Sequence, residues 1–392
     1  MASRAKHSTP PDIASASVSQ STMLRDIHYG YDPVGVPRDE TSQGLRHFPF
    51  MEVQDTADSV YFDPKLRGVP WPTTFPGCRQ TRHWAAVDHS VRTYMDEIQA
   101  TMPQRKWNMA NGKNTAWAAK RQELIETSVL CSIYLFTEGN QRRAELTGRL
   151  LLLSFLHDDV IEFHQEEKAT VVDDLMVAWP PSITGTAITS LSKSPAFVSL
   201  ATEFLEEDKI LGAEALRGLF IWVQHTHGRV SAQSGNPPSR RSTQLTDMCM
   251  FTAGLIKFGY GANVRVEDMY LISNFTRLWL YHLLLVNDLY SFDKELRDAE
   301  TMGCVLVNAV DVIRRSLGLS DSGAKQAARV MLLDLEGLLA EECDSFRRLG
   351  VLNTEQKKLV RGLLECASGN IFYSTVQGRY GGPSAALPMV KK

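Results

Sequence analysis

The chain lacks an excess of charge of either sign. Its 42 Lys and Arg against 45 Asp and Glu leave a net charge of −3. No surplus of cations is available to neutralise a phosphate backbone, which excludes general nucleic-acid binding. Paired cysteines are also missing: Cys78, Cys131, Cys249, Cys304, Cys343 and Cys366 are scattered without a Cys-x-x-Cys spacing. That excludes a zinc ribbon, argues against a disulfide framework and favours a reducing, cytoplasmic setting. The most apolar windows, 150–156 and 278–286, fall well short of the ~18 residues that a membrane-spanning helix needs. No apolar segment follows Arg4 and Lys6 as a secretory signal would require, and Pro10, Pro11 and Asp12 suit a disordered tail better than a transit peptide. Alternating β-branched runs closed by Asn-Gly or Asp-Gly turns are missing, as is any repeat of fixed period.

What is there is helical periodicity. The composition, 43% hydrophobic and 22% charged, is that of a folded globular protein. Val87, Val91, Tyr94, Ile98 and Met102 recur at steps of three and four, which predicts one helix face, stopped by Pro103. Further helices are predicted near 115–137, 141–168, 194–207, 211–231, 265–298, 324–349 and 355–377, with Gly350 as a stop. Residues 30–80 carry Pro33, Pro37, Pro49, Pro64, Pro70, Pro72 and Pro76 and read as irregular. A length of 392 residues would suggest two or three domains. The continuous helical pattern instead predicts one all-α domain at 81–385, behind an N-terminal arm at 1–80 and ahead of a C-terminal tail at 386–392.

Two helices end in polar clusters that emerge from apolar runs. In the first, Leu150 to Leu156 lead into His157, Asp158, Asp159 and Glu162. Asp158 and Glu162 are four apart and project from the same helix face, where two carboxylates repel unless water or a metal neutralises them. A solvated helix end, with Glu166 and Glu167 beyond, explains the cluster equally well. In the second, Asn287, Ser291 and Glu295 follow Leu283 to Val286 at i, i+4 and i+8. Over two turns such a row drifts only about 80°. An amide oxygen, a hydroxyl and a carboxylate on one face form a hard oxygen set suited to Mg²⁺; the plainer alternative is the polar side of an amphipathic helix.

Asp-Asp-x-x-Glu from Asp158, followed 129 residues later by Asn-Asp-x-x-Ser-x-x-x-Glu from Asn287, resembles the paired metal motifs of class I terpene synthases, in particular the fungal and microbial kind. Arg379-Tyr380, 92 residues beyond Asn287, resembles the family's Arg-Tyr pair, although Phe372 and Tyr373 stand where a Trp often precedes it. Arg241, 46 residues before Asn287, matches the family's diphosphate-sensing Arg. Arg240 is an alternative, and a register built on Asp247 would put Gln244 there instead. The resemblance covers roughly 115–382.

That resemblance implies a helical bundle around a central apolar cavity, an allylic prenyl diphosphate as substrate and three Mg²⁺ ions. Asp158, Asp159 and Glu162 would hold metal at one rim, and Asn287, Ser291 and Glu295 at the other, with Asp158, Asn287, Ser291 and Glu295 central to catalysis. Arg241, Lys294, Arg379 and Tyr380 would meet the diphosphate, although Lys294 could equally be a solvated partner for neighbouring acids. Phe155, Phe220, Trp222, Phe275, Trp279 and Phe372 are candidate rings for cation–π stabilisation, with core packing as the plainer role for each. A chain without a recognisable second prenyltransferase module favours farnesyl over geranylgeranyl diphosphate, hence a sesquiterpene product from a monomer or homodimer. The rivals are a chain-elongating prenyltransferase, which would carry aspartate-rich motifs on both helices, and an inactive helical binding protein, which would tolerate loss of the motif acids. A metal phosphohydrolase built on His157 and Asp158 lacks a supporting ligand set.

Overall fold

Apolar residues spaced three and four apart carry most of the chain into helices. The computed structural model describes residues 24–35, 45–101, 114–163, 195–231, 239–302 and 306–382; at 101, 114–117, 158–163, 223–231, 239–249 and 302 it is the backbone alone that is described. The expected tail at 386–392 and the first 23 residues lie outside this set. Eleven α-helices occur among the described residues: α1 (Trp84–Thr101), α2 (Asn114–Leu135), α3 (Gln141–Phe163), α4 (Pro195–Glu207), α5 (Leu211–Ser231), α6 (Ser239–Tyr260), α7 (Ser273–Met302), α8 (Ala309–Leu317), α9 (Asp321–Leu349), α10 (Thr354–Val376) and α11 (Gly378–Gly381). The expected all-α class holds. One small departure is a two-stranded antiparallel ribbon, β1 (Ser59–Phe62) on β2 (Cys78–Thr81), with Ser59 opposite Thr81 and Phe62 opposite Cys78.

The helix α10 lies at the centre. Every residue from Gly362 to Val376 is buried, as a helix surrounded on all sides must be, and α2, α6, α7 and β2 pack around it. Each fully buried Leu or Val there contributes about 1.5–3 kcal/mol. Gly369 lets the Tyr134 carbonyl of α2 approach so closely that a β-carbon would collide with it. Asn353 starts α10 with a capping box to Gln356, and Gly350 ends α9 at a positive φ of 61°, the left-handed conformation that glycine adopts without strain.

Differences from the sequence-based helices have local causes. The helix expected from 265 begins at Ser273, because Glu267–Tyr270 closes as a separate 3₁₀ turn. Neither α6 nor α8 is among the helices that the periodicity predicts. The first half of α6, Ser239 to Thr246, is polar and shows no apolar period; the helix as a whole packs on α5, with Gly218 against the backbone of Phe251 in its second half. The short α8 carries β-branched Val310, Val312 and Ile313, which weaken a helical reading.

The Pro-rich stretch before α1 is irregular yet contributes Tyr31, Phe48, Val69, Trp71 and Phe75 to the same core as the helices. Polar fasteners hold it there. The buried Glu336 of α9 accepts from Thr73 Oγ1, Thr74 N and Thr74 Oγ1, each at 2.6 Å. Asp32 accepts from Arg329 Nη2 at 2.7 Å. Arg79 of β2, fully buried, donates to Ser59 Oγ at 2.8 Å and stands 3.8 Å from the buried Glu365 of α10. The helix α3 is held to α4 by Glu203, which pairs with Arg142 and with Arg149 Nη2 at 2.8 Å.

A polar cleft of about 430 Å³, lined by Asp58, Glu138, Arg143, Tyr260, Lys358 and Arg361 among others, opens beside the first turn of α3. Its cations are engaged: Arg143 by Glu207 and Asp208, Arg361 by Glu138 and Glu365, and Lys358 by Glu355. The acidic motif lies at the other end of α3, on the order of 25 Å away along the helix, so this cleft is not the candidate site.

Candidate active site

The helix α7, about 45 Å long, carries the second motif on one side. Ser291 is buried, and Asn287 and Glu295 are half-buried. Ser291 Oγ donates to Glu295 Oε1 at 2.7 Å, as residues one turn apart can. Asn287 Nδ2 donates to the Tyr380 hydroxyl oxygen at 2.7 Å, across 93 residues of chain. Arg379 and Tyr380 sit on α11, a single turn after Gln377 that packs against α7. The geometry therefore brings together Asn287, Ser291, Glu295 and Tyr380, with Arg379 beside them; its Nε is 3.9 Å from Glu123 Oε1. Burial holds the Tyr380 hydroxyl well above its ordinary pKa; the Arg379 charge opposes this and the Glu295 charge adds to it. The phenol stays protonated and keeps a proton to donate.

Lys294 is paired with Asp298 Oδ2 at 2.8 Å, so its reach toward a diphosphate requires that it leave this partner. Asp158, Asp159 and Glu162 occupy the last two turns of α3, and Arg240, Arg241 and Gln244 the first turns of α6. These six side chains lie outside the described residues. Of the six candidate rings, Phe275, Trp279 and Phe372 are fully buried. Phe275 meets Phe346, and Phe372 is packed edge-on among Phe62, Trp71 and Tyr134. Those contacts are core packing. Phe155, Phe220 and Trp222 retain exposure, and Trp222 meets His157 edge-on at 5.2 Å, directly before the acidic motif.

Three supporting features escaped the sequence reading. Asp288, the second residue of the Asn-Asp motif, accepts from Ala309 N at 2.7 Å and so holds the start of α8. Asn308 caps the same helix through Val310 N, and its amide also reaches Glu295 Oε2 at 3.0 Å. The signal for α8 was present: an Asn at the start and Gly318 just past the end. Finally, Asp293 of α7 is held by Lys325 at 2.6 Å and by the Tyr31 hydroxyl at 2.9 Å. No single motif could have indicated that the Pro-rich segment reaches α7.

The donor set of α7 fits a hard divalent cation. It offers one carboxylate, one hydroxyl and one amide. The amide nitrogen is committed to Tyr380, and the hydroxyl proton to Glu295, which leaves Asn287 Oδ1, the Ser291 lone pairs and the remaining lone pairs of the Glu295 carboxylate as the unspent oxygen functions. Among the described residues no group of three or more His, Cys, Asp or Glu comes together; this set is built on Asn and Ser instead.

Comparison with known proteins identifies the family. A family model described as terpene synthase family 2, C-terminal metal binding, matches residues 240–336, a span that contains all of α7. Terpene cyclase 6 of Gibberella fujikuroi is 30% identical over 369 residues, covering 91% of this chain and 95% of that protein. Aristolochene synthase of Aspergillus terreus is 24% identical over 70% of this chain and 85% of its own length. Among solved structures, aristolochene synthase from Penicillium roqueforti shares the fold with a TM-score of 0.53 at 18% identity, covering 72% of this chain and 94% of that one. The chain belongs to the fungal class I terpene synthases, lyases that act on prenyl diphosphates, and its metal-binding C-terminal region implies a divalent cation as cofactor. No helix among the described residues is long and apolar enough to cross a membrane.

Proposed function

We propose that this protein is a Mg²⁺-dependent sesquiterpene cyclase that ionises farnesyl diphosphate and cyclises the resulting carbocation. The observation that carries the proposal is the union of Asn287, Ser291 and Glu295 on one side of α7 with Tyr380 of α11. In this reading Asn287, Ser291 and Glu295 supply oxygen ligands at one rim, and Asp158, assisted by Asp159 and Glu162, at the other. Three Mg²⁺ ions are proposed; when bound they supply Lewis-acid stabilisation of the departing diphosphate. Arg379, Arg241 and Lys294 neutralise its oxygens, while the protonated Tyr380 hydroxyl donates a hydrogen bond. The carbon–oxygen bond breaks heterolytically, diphosphate keeps the electron pair, and the hydrocarbon cation folds away from water inside the bundle. Trp222, partly exposed beside the end of α3, is the ring best placed to stabilise positive charge. The cascade ends by proton loss or by capture of water. Similarity over most of its length to enzymes named for aristolochene, a sesquiterpene, supports the fifteen-carbon substrate.

The test is direct. Purified protein is incubated with geranyl, farnesyl and geranylgeranyl diphosphate, with and without Mg²⁺, and the products are analysed by gas chromatography and mass spectrometry. The expected result is a Mg²⁺-dependent sesquiterpene from farnesyl diphosphate. Cyclisation of the twenty-carbon substrate alone would convert the reading to a diterpene cyclase, linear elongated products would make it a prenyltransferase, and no metal-dependent product would overturn it.

A further inference from the structure

We propose that Asn308, outside both motifs, is a positioning residue that sets the orientation of the Glu295 carboxylate; the proposal rests on Glu295 acting as a metal ligand. Asn308 is buried to 1% exposure and all its polar side-chain atoms are used. Its Oδ1 accepts from Val310 N at 2.8 Å and so caps α8. Its Nδ2 donates to the Asp288 carbonyl at 2.8 Å and to Glu295 Oε2 at 3.0 Å. With Ser291 donating to Oε1, each oxygen of Glu295 has one fixed donor. The carboxylate can no longer rotate freely, yet each oxygen keeps acceptor capacity for a cation. Groups that orient a ligand in this way typically change metal affinity 10- to 100-fold when removed.

An ordinary helix cap would not need Asn here. Ser and Asp cap as well as Asn, but Asp has no donor and Ser only one, on a shorter side chain. Neither can accept from Val310 N and also serve both the Asp288 carbonyl and Glu295 as the two N–H groups of Asn308 do. Asp would also present an acceptor to the Asp288 carbonyl and a like charge to Glu295. The start of α8 has a second anchor in the bond from Ala309 N to Asp288 Oδ2, so loss of the Asn308 amide alone leaves the helix held. The two functions of one side chain can thus be separated by substitution: Asn308→Ser keeps the cap and removes the amide that reaches Glu295, Asn308→Asp keeps the cap and replaces that amide by an acceptor, and Asn308→Ala removes both.

The experiment is calorimetric titration of Mg²⁺ into the full chain with inorganic diphosphate, alongside thermal melting without ligand. In the wild type, joint binding of Mg²⁺ and diphosphate is expected, and Glu295→Gln should abolish it. Asn308→Ser should weaken the Mg²⁺-dependent binding about 10- to 100-fold while melting close to wild type, Asn308→Asp should do at least as much, and Asn308→Ala should also melt lower. Unchanged binding in Asn308→Ser, with Glu295→Gln still defective, overturns the inference alone. A melting point for Asn308→Ser as low as that of Asn308→Ala makes the residue structural and also overturns it. Binding in which Glu295→Gln is indistinguishable from wild type overturns the metal reading, and this inference with it.

Discussion

The Asn287 amide donates to the Tyr380 hydroxyl across 2.7 Å, and in the proposed site this bond decides which end of the amide is left for a ligand. With the nitrogen committed, Oδ1 is the end left for a cation. Replacement of Tyr380 by Phe keeps the buried ring and deletes the acceptor. We expect Tyr380→Phe to raise the Mg²⁺ concentration needed for half-maximal turnover about tenfold or more with little change in melting temperature. A Mg²⁺ dependence superimposable on that of the wild type would show that the bond does not orient Asn287.

The proposed α7 ligand set makes a second prediction. Glu295→Gln is isosteric, and Ser291→Ala removes one hydroxyl from a buried position. Each should lower kcat/KM with farnesyl diphosphate by on the order of a hundredfold or more, while circular dichroism stays native. Chelation of divalent cations by EDTA should abolish turnover of the wild type, and added Mg²⁺ should restore it. Near-normal activity in Glu295→Gln would remove the residue from the site.

The turn carrying Arg379 and Tyr380 is braced from outside. A β-carbon on Gly381 would come within 2.5 Å of the Tyr29 hydroxyl and 2.7 Å of the Tyr31 ring. Gly381→Ala should therefore push residues 29–31 away and destabilise the protein by about 1–3 kcal/mol. Tyr31→Phe, which loses only the bond to Asp293, should cost about 1 kcal/mol. Urea melts measure both. Equal stability of Gly381→Ala and wild type would mean that the bracing contact yields without cost.

The clamp between α3 and α4 has a pH signature. Burial raises the pKa of Glu203, but the Arg149 hydrogen bond and the charges of Arg149 and Arg142 outweigh it, and the net shift is downward from 4.5. A carboxylate depressed in the folded state stabilises above its unfolded pKa, and that contribution is lost as pH falls from about 4.5 through the folded value. Glu203→Gln should melt below wild type at pH 7, with the gap closing toward pH 3. A gap independent of pH would exclude the linkage.

Sequence reading recovered the parts of the molecule whose cause is local. The α7 motif was legible because Asn287, Ser291 and Glu295 share one helix face by spacing alone. The stop at Gly350 needed only one residue's tolerance of positive φ. Tyr380 was found by likeness to a motif, but its contact with Asn287 depends on how α11 packs against α7. What stayed hidden depends on contacts between distant segments. The polar first half of α6 offers no apolar period to read. Asp288 and Asn308 look like ordinary polar residues until the start of α8 is placed against α7. Tyr31 lay in a stretch that proline marked as irregular, and proline speaks only to backbone regularity, not to what the side chains bury.

The bracing of α11 by Tyr29 and Tyr31 also sets an order of events in synthesis. The Tyr31 amide donates to the Thr375 carbonyl, and the Tyr29 hydroxyl to that of Gly382. A ribosome makes Tyr29 353 residues before Gly382, so the earlier segment must wait for the later one before it finds its place. Tyr380 and its bond to Asn287 belong to that later stretch. The diphosphate end of the proposed site is therefore completed only once residues 375–382 have been made, and an emerging chain that stalls short of residue 375 can have α7 but no assembled site.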